Sequence, residues 1–291
     1  MQAVAEQDVR TPDGRIVRTA SHGPLDGFPV LWHHGNPGSR VAPIADSELE
    51  AGGIRLIAYD RPGGGGSTPR PGRRVADVRD DAPPIADAWE LERFGTAGIS
   101  GGGAYTLATA ALFPERVVAA AVLSGAAPVD AEGLDFTAGM SETNTQAAEE
   151  EEKDRQAELL EGEPMRQAIL ANPRRVLLGF AEEFPPADRE ALRRPEIMNP
   201  IAEGMAECLR ISAEGWLDDS GAFASPWGFD VATIAVPVGI WQGREDTATP
   251  LTHARWLAAR IPQAELHELE GGHYAPYLRL PEILRWLAAR S

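Results

Sequence analysis

The chain has 291 residues, with 44 acidic against 27 basic side chains and a formal charge of −17. So acidic a balance excludes the basic footprint that nucleic acid or an anionic membrane surface requires. The length allows a large core, either one α/β domain or a core with an insertion. Cys208 is the only cysteine, which excludes an intrachain disulfide. No apolar run approaches the roughly 18 residues needed to span a bilayer. The opening MQAVAEQDVR lacks the basic and apolar regions of a signal peptide. The expectation is a cytoplasmic protein acting on a small molecule, with a homodimer left open.

In chain order, 3–10 and 15–21 alternate in polarity around Pro12-Asp13-Gly14 and predict a hairpin. A third strand, 28–33, runs into His34-Gly35-Asn36-Pro37-Gly38, followed by a helix and the strand 54–59. Residues 82–92 predict a helix, with Pro83 and Pro84 tolerable only in its first turn. The strand 94–99, the helix 104–112 and the strand 117–124 follow. From 126 to 234 the periodicity is helical, interrupted by prolines, and too long for an ordinary connection. The charges of Glu149 to Glu152 there read as a solvated helix face. Alternation resumes with strand 236–242, helix 250–261, strand 265–269 and helix 281–290. The pattern predicts an α/β fold, a mostly parallel eight-stranded sheet with helices on both faces plus a folded helical insertion. The core is expected at 1–125 and 235–291, with the insertion at 126–234.

Gly98-Ile99-Ser100-Gly101-Gly102 sits between an apolar strand and a helix, the nucleophile-elbow pattern. A serine hydroxyl needs a base within hydrogen-bond reach and an acid to orient that base. Among the six histidines, His273 in Gly271-Gly272-His273-Tyr274 follows the last strand and shares the sheet edge of Ser100. His267 lies within a strand, His253 on a helix, and His22 in an early turn. Asp246, after the strand at 236–242, is the expected acid, with Glu245 and Asp130 as alternatives. The tetrahedral oxyanion needs backbone N–H donors, assigned to Gly101 at a helix start and Asn36 in the earlier loop.

On these residues, with Tyr59-Asp60-Arg61-Pro62-Gly63 and Gly243 to Asp246, the chain resembles the α/β-hydrolase superfamily over nearly its full length. More narrowly it resembles the actinobacterial-type hydrolases grouped near proline iminopeptidases. The resemblance implies catalysis by Ser100, Asp246 and His273, an oxyanion hole at Asn36 and Gly101, and a helical cap over the pocket. Haloalkane dehalogenases share the His-Gly-Asn-Pro loop but carry an aspartate and tryptophan where this chain has Ser100 and Gly101. Epoxide hydrolases are disfavoured by the same serine.

The expected activity is hydrolysis of a carboxylic ester, or related acyl bond, of a small and largely apolar substrate through an acyl-enzyme. Alternatives are a proline iminopeptidase-like aminopeptidase, a biosynthetic acyl-transfer or cyclising enzyme, and a receptor that signals by cap movement. Pocket candidates are His34 and, from the cap, Phe136, Met140, Met205, Leu209, Trp216, Phe223 and Trp227. No metal or cofactor is expected, because the histidines are scattered and one cysteine cannot form a thiolate site. Gly63 to Gly66 lack the Lys and Ser or Thr of a phosphate loop and read as a flexible turn near the site rim.

Overall fold

The computed structural model describes residues 5–149 and 155–290. Glu150 to Glu152, part of the acidic run, lie outside the described residues. The hairpin forms as β1 (Ala5–Arg10) and β2 (Ile16–His22), paired antiparallel, so His22 ends a strand where a turn was expected. The remaining strands are β3 (Phe28–His33), β4 (Ile54–Tyr59), β5 (Phe94–Ile99), β6 (Val117–Leu123), β7 (Val238–Gly243) and β8 (Ala264–Leu269). They make one eight-stranded sheet in the order β1-β2-β4-β3-β5-β6-β7-β8. Pairing is parallel from β4 onward and antiparallel at β1/β2 and β2/β4.

The helices are α1 (Asp46–Gly52), α2 (Ala82–Ala88), α3 (Gly101–Leu112), α4 (Glu142–Glu149), α5 (Arg155–Ala171), α6 (Pro173–Phe180), α7 (Pro186–Ala191), α8 (Pro195–Cys208), α9 (Glu214–Phe223), α10 (Leu251–Arg260) and α11 (Leu280–Ala288). Helix α2 keeps Pro83 and Pro84 in its first turn but stops at Ala88, short of the expected 92. Trp89 leaves the helix to donate its indole N–H to Thr19 Oγ1 at 2.9 Å, and Glu90 turns with φ 59°.

Alternation along the strands divides the core. In β6, wholly buried, Ala120 and Val122 face one apolar layer while Ala119, Ala121 and Leu123 face the other. The first layer is closed by α2, α3 and α10, the second by α1 and α11. The elements α4 to α9 all fall between β6 and β7, and α6 to α8 carry a third apolar cluster of their own. That cluster includes Leu177, Ile197, Met205 and Leu209, and it also takes in Tyr274 from the loop after β8.

Packing is close where β3, β5 and α3 meet. A Cβ on Gly98 would lie 2.5 Å from the Gly102 carbonyl, and one on Gly102 would overlap the carbonyl of His33. Gly102→Ala is expected to destabilise by about 1–3 kcal/mol through forced backbone movement, read as a lower urea midpoint. Gly221→Ala in α9, where an added Cβ meets nothing within 4 Å, should instead stabilise by up to about 1 kcal/mol.

Candidate active site

Strand β5 is buried along its whole length and ends on Ser100, whose φ of 54° and ψ of −126° lie where side chains are strained. The position is held from both sides: Ser100 N–H donates to Leu123 O and Gly103 N–H donates to Ser100 O, each at 2.8 Å. The turn carries Ser100 to the carboxyl edge of the sheet, where it lines a cavity of about 470 Å³ between the sheet and the inserted helices.

His273 lines the same cavity from the loop after β8. Its Nδ1 donates to Asp246 Oδ2 at 2.9 Å, so in the neutral ring Nε2 carries no proton and can accept one. Asp246 is itself locked by N–H groups of Ala248 and Thr249 on Oδ1 (2.8 and 2.9 Å) and by Gln242 Nε2 on Oδ2 (2.7 Å). Burial alone would depress the His273 imidazole, but the Asp246 charge and hydrogen bond, with Asp188, carry it above the ordinary histidine value. Glu245 and Asp130, the alternative acids, are exposed.

The other cavity-lining histidine, His34, has the opposite electrostatics. Burial pushes its imidazole well below the ordinary value, and the Arg61 charge adds to this. Its Nδ1 donates to Gly35 O at 2.7 Å and its Nε2 accepts from Arg61 N–H at 3.4 Å. His34 is thus a neutral wall, and His273 is the imidazole suited to proton transfer. His253 is spent on structure, bonding Ala127 N–H and Phe136 O, while His267 stacks on Trp241.

Asn36 lines the cavity, and its amide donates to Ser220 Oγ of α9 at 3.3 Å. Gly101 opens α3 directly after Ser100, and a Cβ there would sit 2.5 Å from the Phe223 ring. Met205 and Trp216 line the cavity as expected. Phe136, Met140 and Trp227 do not. Phe136 packs edge-on against His253, and Trp227 stacks on Phe229 in the core beside the sheet. Met140 lies on the turn before the cavity-lining Ser141. Leu209 belongs to the insert's own cluster, and Phe223 packs on Tyr105. An apolar residue in a helical segment shows that it is buried, not against which surface. Gly63 to Gly65 are also corrected: they are buried against α8 and α9, with Gly65 N–H donating to Cys208 O at 2.9 Å.

Three supports of the site were assigned no role from the sequence, although Arg61 lies in one of the motifs that carry the resemblance. Ser124, just past β6, donates its hydroxyl to His273 O at 2.9 Å. Asp188 on α7 accepts the backbone N–H of His273 on Oδ2 and of Tyr274 on Oδ1, both at 2.8 Å. Arg61 donates Nη1 to His34 O at 2.6 Å and Nη2 to Gly35 O at 2.8 Å, and pairs with Asp219 of α9. Asp219 also accepts from Arg73 at 2.6 Å and from Tyr105 Oη at 3.0 Å. Burial would raise the Asp219 carboxyl, but the two guanidiniums hold it well below the usual carboxylate range.

The cavity wall includes apolar side chains such as Trp32, Ile99, Leu177 and Met205, and among the described residues no arginine or lysine. The one carboxylate among the described lining residues, Glu183, is exposed and accepts from Thr143 Oγ1 at 2.7 Å. Among the described residues no group of three or more His, Cys, Asp or Glu is arranged to hold a metal ion, and no helix is long and apolar enough to cross a membrane.

The family model described as alpha/beta hydrolase fold matches residues 29–280. The chain is similar to a proline iminopeptidase of Neisseria gonorrhoeae, 26% identical over 272 residues that cover 87% of this chain and 85% of the relative. It is also similar to a 2-hydroxymuconate semialdehyde hydrolase of Pseudomonas sp. strain CF600, 31% identical over 277 residues covering 89% and 84%. Among solved structures, an esterase from Thermogutta terrifontis superposes with a TM-score of 0.68 at 22% identity, covering 99% of both chains.

Removing the carboxylate that both arginines share takes the ion pair from buried Arg61 and leaves Arg73 only Asp218, at 3.6 Å. Asp219→Asn is expected to cost about 3–5 kcal/mol of unfolding free energy, measured by urea denaturation.

Proposed function

Because the chain belongs to the alpha/beta hydrolase fold family, we propose that it is a serine hydrolase cleaving a neutral carboxylic ester, or related acyl bond, of a small and largely apolar substrate. The carrying observation is the cavity: Ser100 and His273 share a largely apolar chamber whose described lining has no arginine or lysine and a single, exposed carboxylate. Residues 126–234 act in this reading as a cap that walls the chamber.

In the first step Ser100 Oγ attacks the carbonyl carbon while its proton passes to His273 Nε2. Asp246 holds the Nδ1 proton and stabilises the imidazolium. The N–H groups of Gly101 and Asn36 receive the oxyanion. Collapse breaks the bond to the leaving oxygen, which takes the proton from His273. Water, activated by the same nitrogen, then releases the acid and restores Ser100.

The chamber's composition supports esters over two activities found among the relatives. A free α-amino group, the recognition element of an N-terminal peptidase, would need a buried carboxylate, and Glu183 is exposed and engaged by Thr143. A substrate bearing its own carboxylate would meet no arginine or lysine among the described lining residues. Charge complementarity thus favours a neutral acyl group.

Purified protein should hydrolyse short p-nitrophenyl esters and leave proline p-nitroanilide largely untouched; the reverse preference would sink the ester reading. Ser100→Ala should abolish ester turnover. Asp246→Asn should retain the fold, checked by circular dichroism, and lower kcat by about 10⁴-fold through the wrong tautomer of His273. Since the imidazolium cannot accept the serine proton, kcat/KM should fall as pH drops through the His273 pKa. That inflection is expected above the ordinary histidine value, because His273 is shifted upward.

A further inference from the structure

The loop that presents His273 has little of its own to hold it. Two glycines precede the histidine, and Gly271 takes a φ of 101°. The sheet side contributes Ser124 Oγ, which donates to His273 O at 2.9 Å. Glu245 N–H, from the loop after β7, donates to Gly271 O at 2.9 Å, and Asp246 holds the imidazole. A further hold comes from across the cavity edge. Asp188 of α7, 1% exposed, accepts the consecutive N–H groups of His273 and Tyr274, one on each carboxylate oxygen. Gly272 makes this approach possible, since any Cβ at that position would overlap the Asp188 carboxylate.

We propose that Asp188 is a positioning residue for the base: seated on two backbone N–H groups, it fixes the His273 loop and places a second negative charge beside the imidazole. The proposal rests on the reading of His273 as the general base. Its geometry has a specific consequence. This carboxylate belongs to the inserted helices, so part of the hold on the base depends on the docking of α7. Only a charged carboxylate can accept both N–H groups; an amide in its place would set its own N–H₂ against one of them.

The titratable groups around His273 are Asp246 from the loop after β7, Asp188 from α7 and Tyr274 beside it, whose ring meets the imidazole edge-on at 5.6 Å. Burial raises the Asp188 carboxyl, and the N–H groups of Tyr274 and His273, with the imidazolium charge, oppose that rise. Removing the Asp188 charge takes away one of the two anions favouring imidazolium. The acid limb of activity then moves to lower pH, which loss of packing alone would not cause.

The experiment uses a fluorophosphonate, which needs no knowledge of the natural substrate. Ser100 Oγ bonds to phosphorus, fluoride leaves, and the serine proton passes to His273. The rate of labelling is measured against probe concentration and pH for full-length wild type, S100A, D188N and D188E. Expected for D188N is a fall in the maximal labelling rate of about 10–100-fold with half-saturation little changed, and an acid limb displaced downward. D188E, which keeps the charge, should hold the acid limb in place while labelling more slowly than wild type. Should D188N fail to fold, that slower labelling by D188E at unchanged half-saturation supports the role, and wild-type labelling by D188E overturns it. If S100A labels like wild type, the hydrolase reading falls and the role of Asp188 with it. If S100A is inert but folded D188N keeps the wild-type rate and limb, only the role of Asp188 falls.

Discussion

Two arginines and one aspartate, all buried, set the relation between the sheet and the helices inserted above it. Asp219 is 2% exposed, and it meets Arg61 and Arg73 each at 2.6 Å. Desolvating these charges is expensive, and their mutual attraction repays that cost only in a narrow geometry. The cluster is therefore better understood as a register device than as a source of stability. Helix α9 has one place to sit, and that place brings Ser220 to Asn36 and Phe223 against Gly101. Arg61 carries the constraint onward by donating to the carbonyls of His34 and Gly35. The planar fork of a guanidinium reaches these acceptors and Asp219 together, which the point charge of a lysine would not.

The inserted helices thus do more than cover a cavity. Through Asp219 they brace the loop of Asn36, and through Asp188 they brace the loop of His273. Arg40 adds a third tie, joining Asp60 beneath the sheet edge to Glu207 of α8. Burial pushes the Asp60 carboxyl up to about 6 even beside that guanidinium. Ser100 needs no such help. Its strained backbone is set by β5, α3 and the glycines between them, where strand and helix pack closely. The geometry of Ser100 belongs to the sheet, and the geometry around it is shared with the insert.

Much of this was legible in the sequence for local reasons. Strands buried on both faces read as continuous apolar runs, as in Val117 to Leu123, and Pro83-Pro84 marked a helix start because proline lacks an N–H that the first turn does not need. Ser100, Asp246 and His273 stood out because glycine turns and strand ends leave a local signature. The departures have equally physical causes. Trp89 leaves α2 for Thr19, a partner 70 residues away that no periodicity reveals. Phe136, Met140 and Trp227 are apolar residues of the helical segment, and hydropathy ranks burial without naming the surface that buries. The Gly63 to Gly65 turn reads as flexible from composition, yet α8 and α9 pack directly on it.

The sequence alone determined the alternation of strands and helices, the turn that exposes Ser100, the chain order of serine, acid and histidine, and the strongly acidic net charge. These are properties of neighbours along the chain, where steric limits on φ and ψ and the period of apolar residues act directly. Only the tertiary structure decided that Asp188 and Asp219 are supports of the site, that His34 is neutral while His273 is poised to take a proton, and that the cavity is apolar. Each of these depends on desolvation and on charges brought together from distant segments, Asp219 lying 158 residues from Arg61. An aspartate in a helix reads as a surface charge until the fold takes it out of water and places an arginine beside it.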